Sequence, residues 1–353
     1  MQIGLSMIFQ GSATRPDHEV YADEVRLARM AEPLGFDSIW TVEHHFTGYT
    51  MVPDALQFLT YMAGCTERLQ LGTMVVVLPW HDPVRVAEGV AMLDNLSGGR
   101  VILGIGRGLG RIEFGGFGVD MEESRARFIE SAQLVLQGLE EGHVDFAGTY
   151  YQQSPRDLRP APFKSFKDRT YASAVSPESV RIMADLGVGI MIVPQKPWEQ
   201  VTQELEEYRT LFRDATGGEA PPPACAGWVF CDPDEGRARD LGEEYVGRYY
   251  ETVITHYEFK SDHLAGTKGY EFYGKLSGFL DKYGSAPAIK AFTDLHVIGT
   301  PEQCVDKIRD IQGMVGNDTF MAVCSYGDMA PTEAERNLRL FACDVMPAVK
   351  QFA

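Results

Sequence analysis

A parallel α/β barrel of eight strands, the (β/α)8 TIM barrel, with insertions, is the fold this sequence predicts. Three observations predict it. Apolar strand-like runs alternate with helical patterns over the whole chain, about eight times. No linker or shift in composition marks a domain boundary in the 353 residues, so one barrel over 1–353 fits better than two domains. Such barrels take about 250 residues, and the surplus gathers in two segments, 143–168 and 257–299.

The first strand is "IGLSMIF". The helix after it carries Val20, Val25, Leu27, Ala28, Ala31 and Leu34 on one face and stops at Gly35. "FDSIWTV" is the second strand, followed by a helix from Asp54, a natural N-cap. "LQLGTMVVVL" is the third, followed by a helix with Asp82 capping and Pro83 at its first position. "RVILGIG" is the fourth strand, and "MEESRARFIESAQLVLQGLEEG" the helix behind it. In the second half, "RTYASA", "GVGIMIV", "CAGWVFC" and "DTFMAVCS" read as strands, with helical patterns from near Pro177, Pro197, Pro233 and Pro331. Residues 143–168 read as a short hairpin with a proline-rich excursion. Residues 257–299 show no clean periodicity and read as a long loop.

Composition bounds the function. With 44% hydrophobic residues the chain can bury a large core. A net charge of −18 argues against nucleic acid, whose phosphates it would repel. Six cysteines without CxxC spacing argue against a zinc site or a disulfide framework. The N-terminal apolar run lacks a basic region before it, and no run reaches the roughly 18 apolar residues of a membrane helix. The expectation is a cytoplasmic protein with no membrane partner.

In a barrel of this kind, active-site residues sit at the carboxyl ends of the strands. The run "VILGIGRGLGR" places glycine at 104, 106, 108 and 110. A dinucleotide fingerprint needs G-x-G-x-x-G opening a helix. Neither start matches here, and "IEFGGFGVD" reads as further loop. What remains is Arg107 among open backbone amides at Gly106 and Gly108. Read alone, this fits a phosphate site or a solvated arginine equally well.

"WTVEHHFTGY" ends the second strand with Glu43, His44 and His45. Side chains alternate along a strand, so one histidine enters the pocket while the other packs or binds a carbonyl. Both His44 and His45 stand as acid–base candidates. No third ligand is spaced nearby, which argues against a metal. Ser176 and Ser179 bracket Pro177 at a helix start, where free amides favour an anion. Met74 to Val77 offer an apolar floor for a flat ring or simple barrel filling.

Together these residues resemble the bacterial luciferase family of flavin-dependent monooxygenases, above all its catalytic chain. The matching segments are "GFDSIWTVEHHFT", "GTMVVVLPWHDPVRVAEGVAMLDNLSGGR", "GIGRGL", "FGVDMEESRA", "TKGYEF", "VGTPEQC" and "LFACDVMPAVK", spread in order over the chain. The resemblance implies the eight-stranded barrel and reduced FMN supplied by a separate flavin reductase. O2 then adds to the flavin, and the peroxyflavin oxygenates an organic substrate by hydroxylation, epoxidation or Baeyer–Villiger insertion. It implies His44 as the catalytic histidine and a phosphate site at Arg107, the Leu109 backbone, Ser176 and Ser179. The flavin ring would lie near Glu43, Met74 and Val75, where the family often has a non-proline cis peptide. It further implies a homodimer through the helices Asp54–Cys65 and Asp82–Ser97, and a lid at 257–299.

Two departures stand out. The luciferase chain has a reactive cysteine where this sequence has Gly106, and a glutamate where it has Val175. Loss of the cysteine is expected to widen the pocket, weakening the case for light emission and admitting a bulky or aromatic substrate. The rival readings are a deazaflavin-dependent hydride-transfer oxidoreductase and a non-catalytic flavin-binding subunit.

Overall fold

The computed structural model describes residues 1–173, 177–261, 263–267 and 270–352. The chain begins β1 (Gln2–Met7), α1 (Asp17–Ala28), β2 (Ser38–Thr41), α2 (Ala55–Cys65), β3 (Gln70–Thr73), β4 (Val76–Val77) and α3 (Pro83–Ser97). It continues with β5 (Val101–Gly106), α4 (Arg111–Phe117), α5 (Ser124–Glu141), β6 (His143–Ala147), β7 (Gln152–Asp157) and β8 (Thr170–Ser173). Next come α6 (Pro177–Leu186), β9 (Gly189–Ile192), α7 (Trp198–Thr216), β10 (Ala224–Cys231) and α8 (Glu235–His256). Last are α9 (His263–Gly266), α10 (Glu271–Tyr283), α11 (Ser285–Asp294), β11 (Val297–Gly299), α12 (Pro301–Val315), β12 (Thr319–Val323), α13 (Pro331–Leu340) and α14 (Met346–Val349).

Eight strands pair in parallel around a closed ring: β1, β2, β3, β5, β8, β9, β10 and β12. Closure runs through Ala224 beside Met191 and through Gln2 beside Thr319. The expected barrel is therefore what forms, with each sequence-predicted strand in place. Asp54 and Asp82 cap α2 and α3 through the backbone amides of Gln57 and Arg85, as their side chains predict.

The barrel is filled by side chains, and Trp40 shows how tightly. Its indole is fully buried and donates to Ser38 Oγ at 2.8 Å. A Cβ at Gly72 would lie 2.1 Å from the Trp40 ring, and one at Gly4 would lie 2.5 Å from it. One large side chain on β2 thus uses the space that both neighbouring strands leave empty. Gly72→Ala is expected to destabilise the fold by about 1–3 kcal/mol through overpacking, measured by urea denaturation.

The structure corrects three readings. The segment "IEFGG" is not loop: α4 forms there, because Phe114 and Glu113 bury one face despite two helix-weakening glycines. Residues 257–299 carry α9, α10 and α11 in place of an irregular loop. Gly274 and Gly278 interrupt the pattern of α10, yet Tyr273, Ser277 and Leu280 make one buried face. Helix α12 follows a capping box between Thr300 and Gln303 that the sequence reading passed over. The 143–168 segment does contain the expected antiparallel hairpin, β6 with β7. Among the described residues, no helix is long and apolar enough to cross a membrane.

Candidate active site

The carboxyl ends of the strands open into a cavity of about 440 Å³, within the range of small-molecule sites. Glu43, His44, Met74, Val75, Gly106, Arg107, Gly108, Leu109 and Ser179, all sequence candidates, line it. Ser176 lies outside the described residues. His45 does not line the cavity. Its Nε2 lies 3.2 Å from Glu43 Oε1, and its ring packs edge-on against Phe117 and Trp80. The two histidines lie beyond the end of β2, where their side chains part, and the geometry gives His45 a supporting place instead of the acid–base position expected for it.

His44 is held from behind by a carboxylate on α4. Its Nδ1 lies 3.0 Å from Glu113 Oε1, which also accepts from the His45 backbone N–H at 2.9 Å. The other oxygen of Glu113 lies 3.4 Å from His256 Nε2, and His256 Nδ1 lies 2.8 Å from Thr47 Oγ1. The Glu113 side chain is fully buried. Burial alone would raise its carboxyl, but His256 and His44 outweigh that and hold it at about 2. An ionised carboxylate only accepts, so His44 carries its proton on Nδ1. Its Nε2 is left toward Tyr257, whose hydroxyl lies 3.4 Å away in the cavity wall. Burial lowers the His256 imidazole in spite of Glu113 and favours its neutral form.

A second buried carboxylate, Glu43, braces the ring floor. It accepts from Val77 N at 2.9 Å and contacts His81 Nε2 at 2.6 Å. Burial would raise it, but His45, His81 and Val77 together bring it below the usual range. The Met74–Val75 peptide beside it is cis, as the resemblance implied. Gly106 faces Val75, and a Cβ built at 106 would lie 2.3 Å from Val75 Cγ2. The expected widening at this position is therefore absent: a valine methyl occupies the room.

Another part of the cavity is cationic. Arg107 and Arg125 line it together with Ser173 and Ser179, next to the start of α6. Arg125 Nε is buried and has no hydrogen-bond partner among the described residues. Tyr270 of the 257–299 segment covers Arg107, with the guanidinium 4.0 Å from the ring centroid, and its hydroxyl donates to Gly108 O at 3.0 Å. Sequence reasoning missed Glu113, His256, Arg125 and Tyr270. A signal existed for Arg125, which opens the fourth long helix within a segment already singled out.

His44, Glu113 and His256 place three ligand-type atoms within 4.8 Å of one another. The sequence reading, which found no third group near His44, did not foresee this cluster. Glu113 Oε1 lies within hydrogen-bond distance of His44 Nδ1, whereas His256 Nε2 and Glu113 Oε2 approach to 3.4 Å without a hydrogen bond among the described residues.

A parallel barrel with a cation-lined pocket at one side and a carboxylate-held histidine at the other defines a small-molecule enzyme. Residues 1–318 match the model of the family described as luciferase-like monooxygenase. The chain belongs to that family. It is 28% identical to the alkanal monooxygenase alpha chain of Photorhabdus luminescens, over 94% of this chain and 93% of that relative. The crystal structure of monooxygenase RslO1 from Streptomyces bottropensis superposes with a TM-score of 0.83 at 29% identity, covering 98% of this chain and 99% of that one. The oxygenating constituent of 3,6-diketocamphane monooxygenase from Pseudomonas putida, solved in complex with FMN, shares the fold. Its TM-score is 0.77 at 19% identity, with 98% of each chain covered. The chain is a luciferase-like monooxygenase.

Proposed function

We propose that this monooxygenase works as the oxygenating component of a two-component system, taking reduced FMN from a separate flavin reductase and oxygenating a small organic substrate. One observation carries the reading: a single cavity joins paired arginines at one side to a histidine fixed in one tautomer at the other. FMN fits it. The unpartnered Arg125 Nε, Arg107 and Ser179 suit the phosphate, as charge-assisted donors do. Met74 and Val75 give the ring an apolar floor, and Ser176 remains a phosphate candidate from sequence.

When bound, reduced FMN supplies two electrons to O2, so that one oxygen atom enters the substrate and the other leaves as water. The protein's part is proton handling and shelter. Glu113 keeps the proton on His44 Nδ1, so His44 Nε2 is the atom that takes or gives a proton in the cavity. The apolar and aromatic walls exclude water from the reacting centre. Helices α9 to α11 act as the lid, with Tyr270 closing over the phosphate side. Exposed Tyr61 on α2 and Met92 and Leu96 on α3 support a homodimer through those helices. Six unpaired cysteines fit a reducing, cytoplasmic location.

The test is direct. Reduced FMN under O2 is expected to be consumed by the protein, whereas a reduced deazaflavin under anaerobic conditions is expected to transfer no hydride. The opposite pattern refutes the reading. Arg107→Ala is expected to raise the FMN Kd about 10- to 100-fold, the worth of a charged hydrogen bond, followed by quenching of flavin fluorescence. An unchanged Kd would move the phosphate elsewhere.

A further inference from the structure

Away from Arg107, the cavity is walled by aromatic rings from four separate segments. Tyr49 comes from the β2–α2 connection, Trp228 from β10, Tyr249, Tyr250 and Tyr257 from α8 and its end, and Phe292 from α11. Arg107 and Ser173 belong to the ends of β5 and β8, while β10 stands two strands beyond β8 around the ring. Tyr249, Val253 and Tyr257 repeat at the spacing of one helix face, turned to the cavity. The rings touch one another in sequence. Trp228 and Tyr249 centroids lie 4.8 Å apart, Tyr49 and Tyr257 5.5 Å, and Tyr250 and Phe292 4.4 Å.

This wall is neutral. Burial pushes the Tyr49 and Tyr250 phenols up to about 12 and raises those of Tyr249 and Tyr257 well above their ordinary value, so all four remain protonated. The cavity cations lie elsewhere or are matched: Arg107 and Arg125 at the phosphate side, Lys196 in an ion pair with Glu204. Tyr49 and Tyr249 satisfy each other at 2.8 Å. Trp228 adds the largest ring of the wall, with its Nε1 buried.

We propose, resting on the flavin reading above, that this wall seats the compound to be oxygenated, and that the compound is a neutral planar aromatic. Flat rings meet such walls in offset or edge-to-face contacts. A long aliphatic aldehyde brings no ring face and loses more rotamer freedom on binding. The aromatic preference thus rests on the wall and not on any room at Gly106.

Calorimetric titration of the FMN-saturated protein with 2-naphthol and with decanal tests this. 2-Naphthol is expected to bind about tenfold or more tightly than decanal. Trp228→Leu is expected to weaken 2-naphthol about tenfold. Trp228→Phe, which keeps a ring, is expected to weaken it less than Trp228→Leu does, with the fold intact by circular dichroism. FMN affinity should stay unchanged in both. Decanal binding as tightly as 2-naphthol, or 2-naphthol affinity unaltered in Trp228→Leu, overturns the proposal. The same titrations run without FMN keep the two readings apart, since failure to take FMN would refute the flavin assignment and leave the Trp228 result standing.

Discussion

Replacing His44 with alanine is expected to lower substrate oxygenation about 10²- to 10⁴-fold, the span of a positioned acid–base group. The reason is geometric. Glu113 commits the Nδ1 proton, so the cavity-facing Nε2 is the nitrogen left to exchange one, and alanine removes it without disturbing the arginine side. Oxygen uptake and hydrogen peroxide release, measured together with reduced FMN supplied, separate lost oxygenation from lost flavin. In the variant, FMN should still bind and its oxygen should appear as peroxide. Oxygenation at the wild-type rate would remove His44 from the chemistry.

Glu113→Ala is expected to destabilise the fold by about 1–3 kcal/mol, because it leaves the His44 Nδ1–H and the His45 backbone N–H without their buried acceptor. The pH dependence has a fixed sign. The Glu113 carboxyl sits at about 2 in the folded chain, below its ordinary 4.5. Its contribution is therefore complete above about 4.5 and disappears as pH falls toward about 2. Glu43, also held low, acts in the same direction. Urea midpoints at pH 7 and pH 3 check this: the gap between wild type and Glu113→Gln should narrow in acid. A gap that is constant with pH would mean that the carboxylate charge is not what stabilises the site.

The barrel was legible because its signals are local. Strand runs such as Val101–Gly106 and caps such as Asp54 and Asp82 act within a few residues of themselves, and the structure repeats them. Helix α4 was not legible, since its glycines speak against a helix and only the burial of Phe114 and Glu113 against distant elements makes one. Glu113 disappeared with it into a supposed loop. The sequence names His44, but its partner is 69 residues away, and the carboxylate's second imidazole sits at the end of α8. Trp228 lies in the stretch Trp228–Cys231, which the barrel pattern marks as a place for active-site residues, but no local signal gives it a role. Whether such a ring fills space or borders it depends on what the other strands leave open. The capping box of Thr300 and Gln303 was different in kind: a local signal, present and passed over.

The valine methyl that stands where a residue-106 side chain would go also bears on descent. In this chain, positions 75 and 106 cannot vary independently. A Cβ introduced at 106 alone would meet Val75 Cγ2 at 2.3 Å, so a side chain there needs the valine to turn away or a smaller residue at 75. The effect of a change at one site is therefore expected to depend on the residue at the other, through one methyl group.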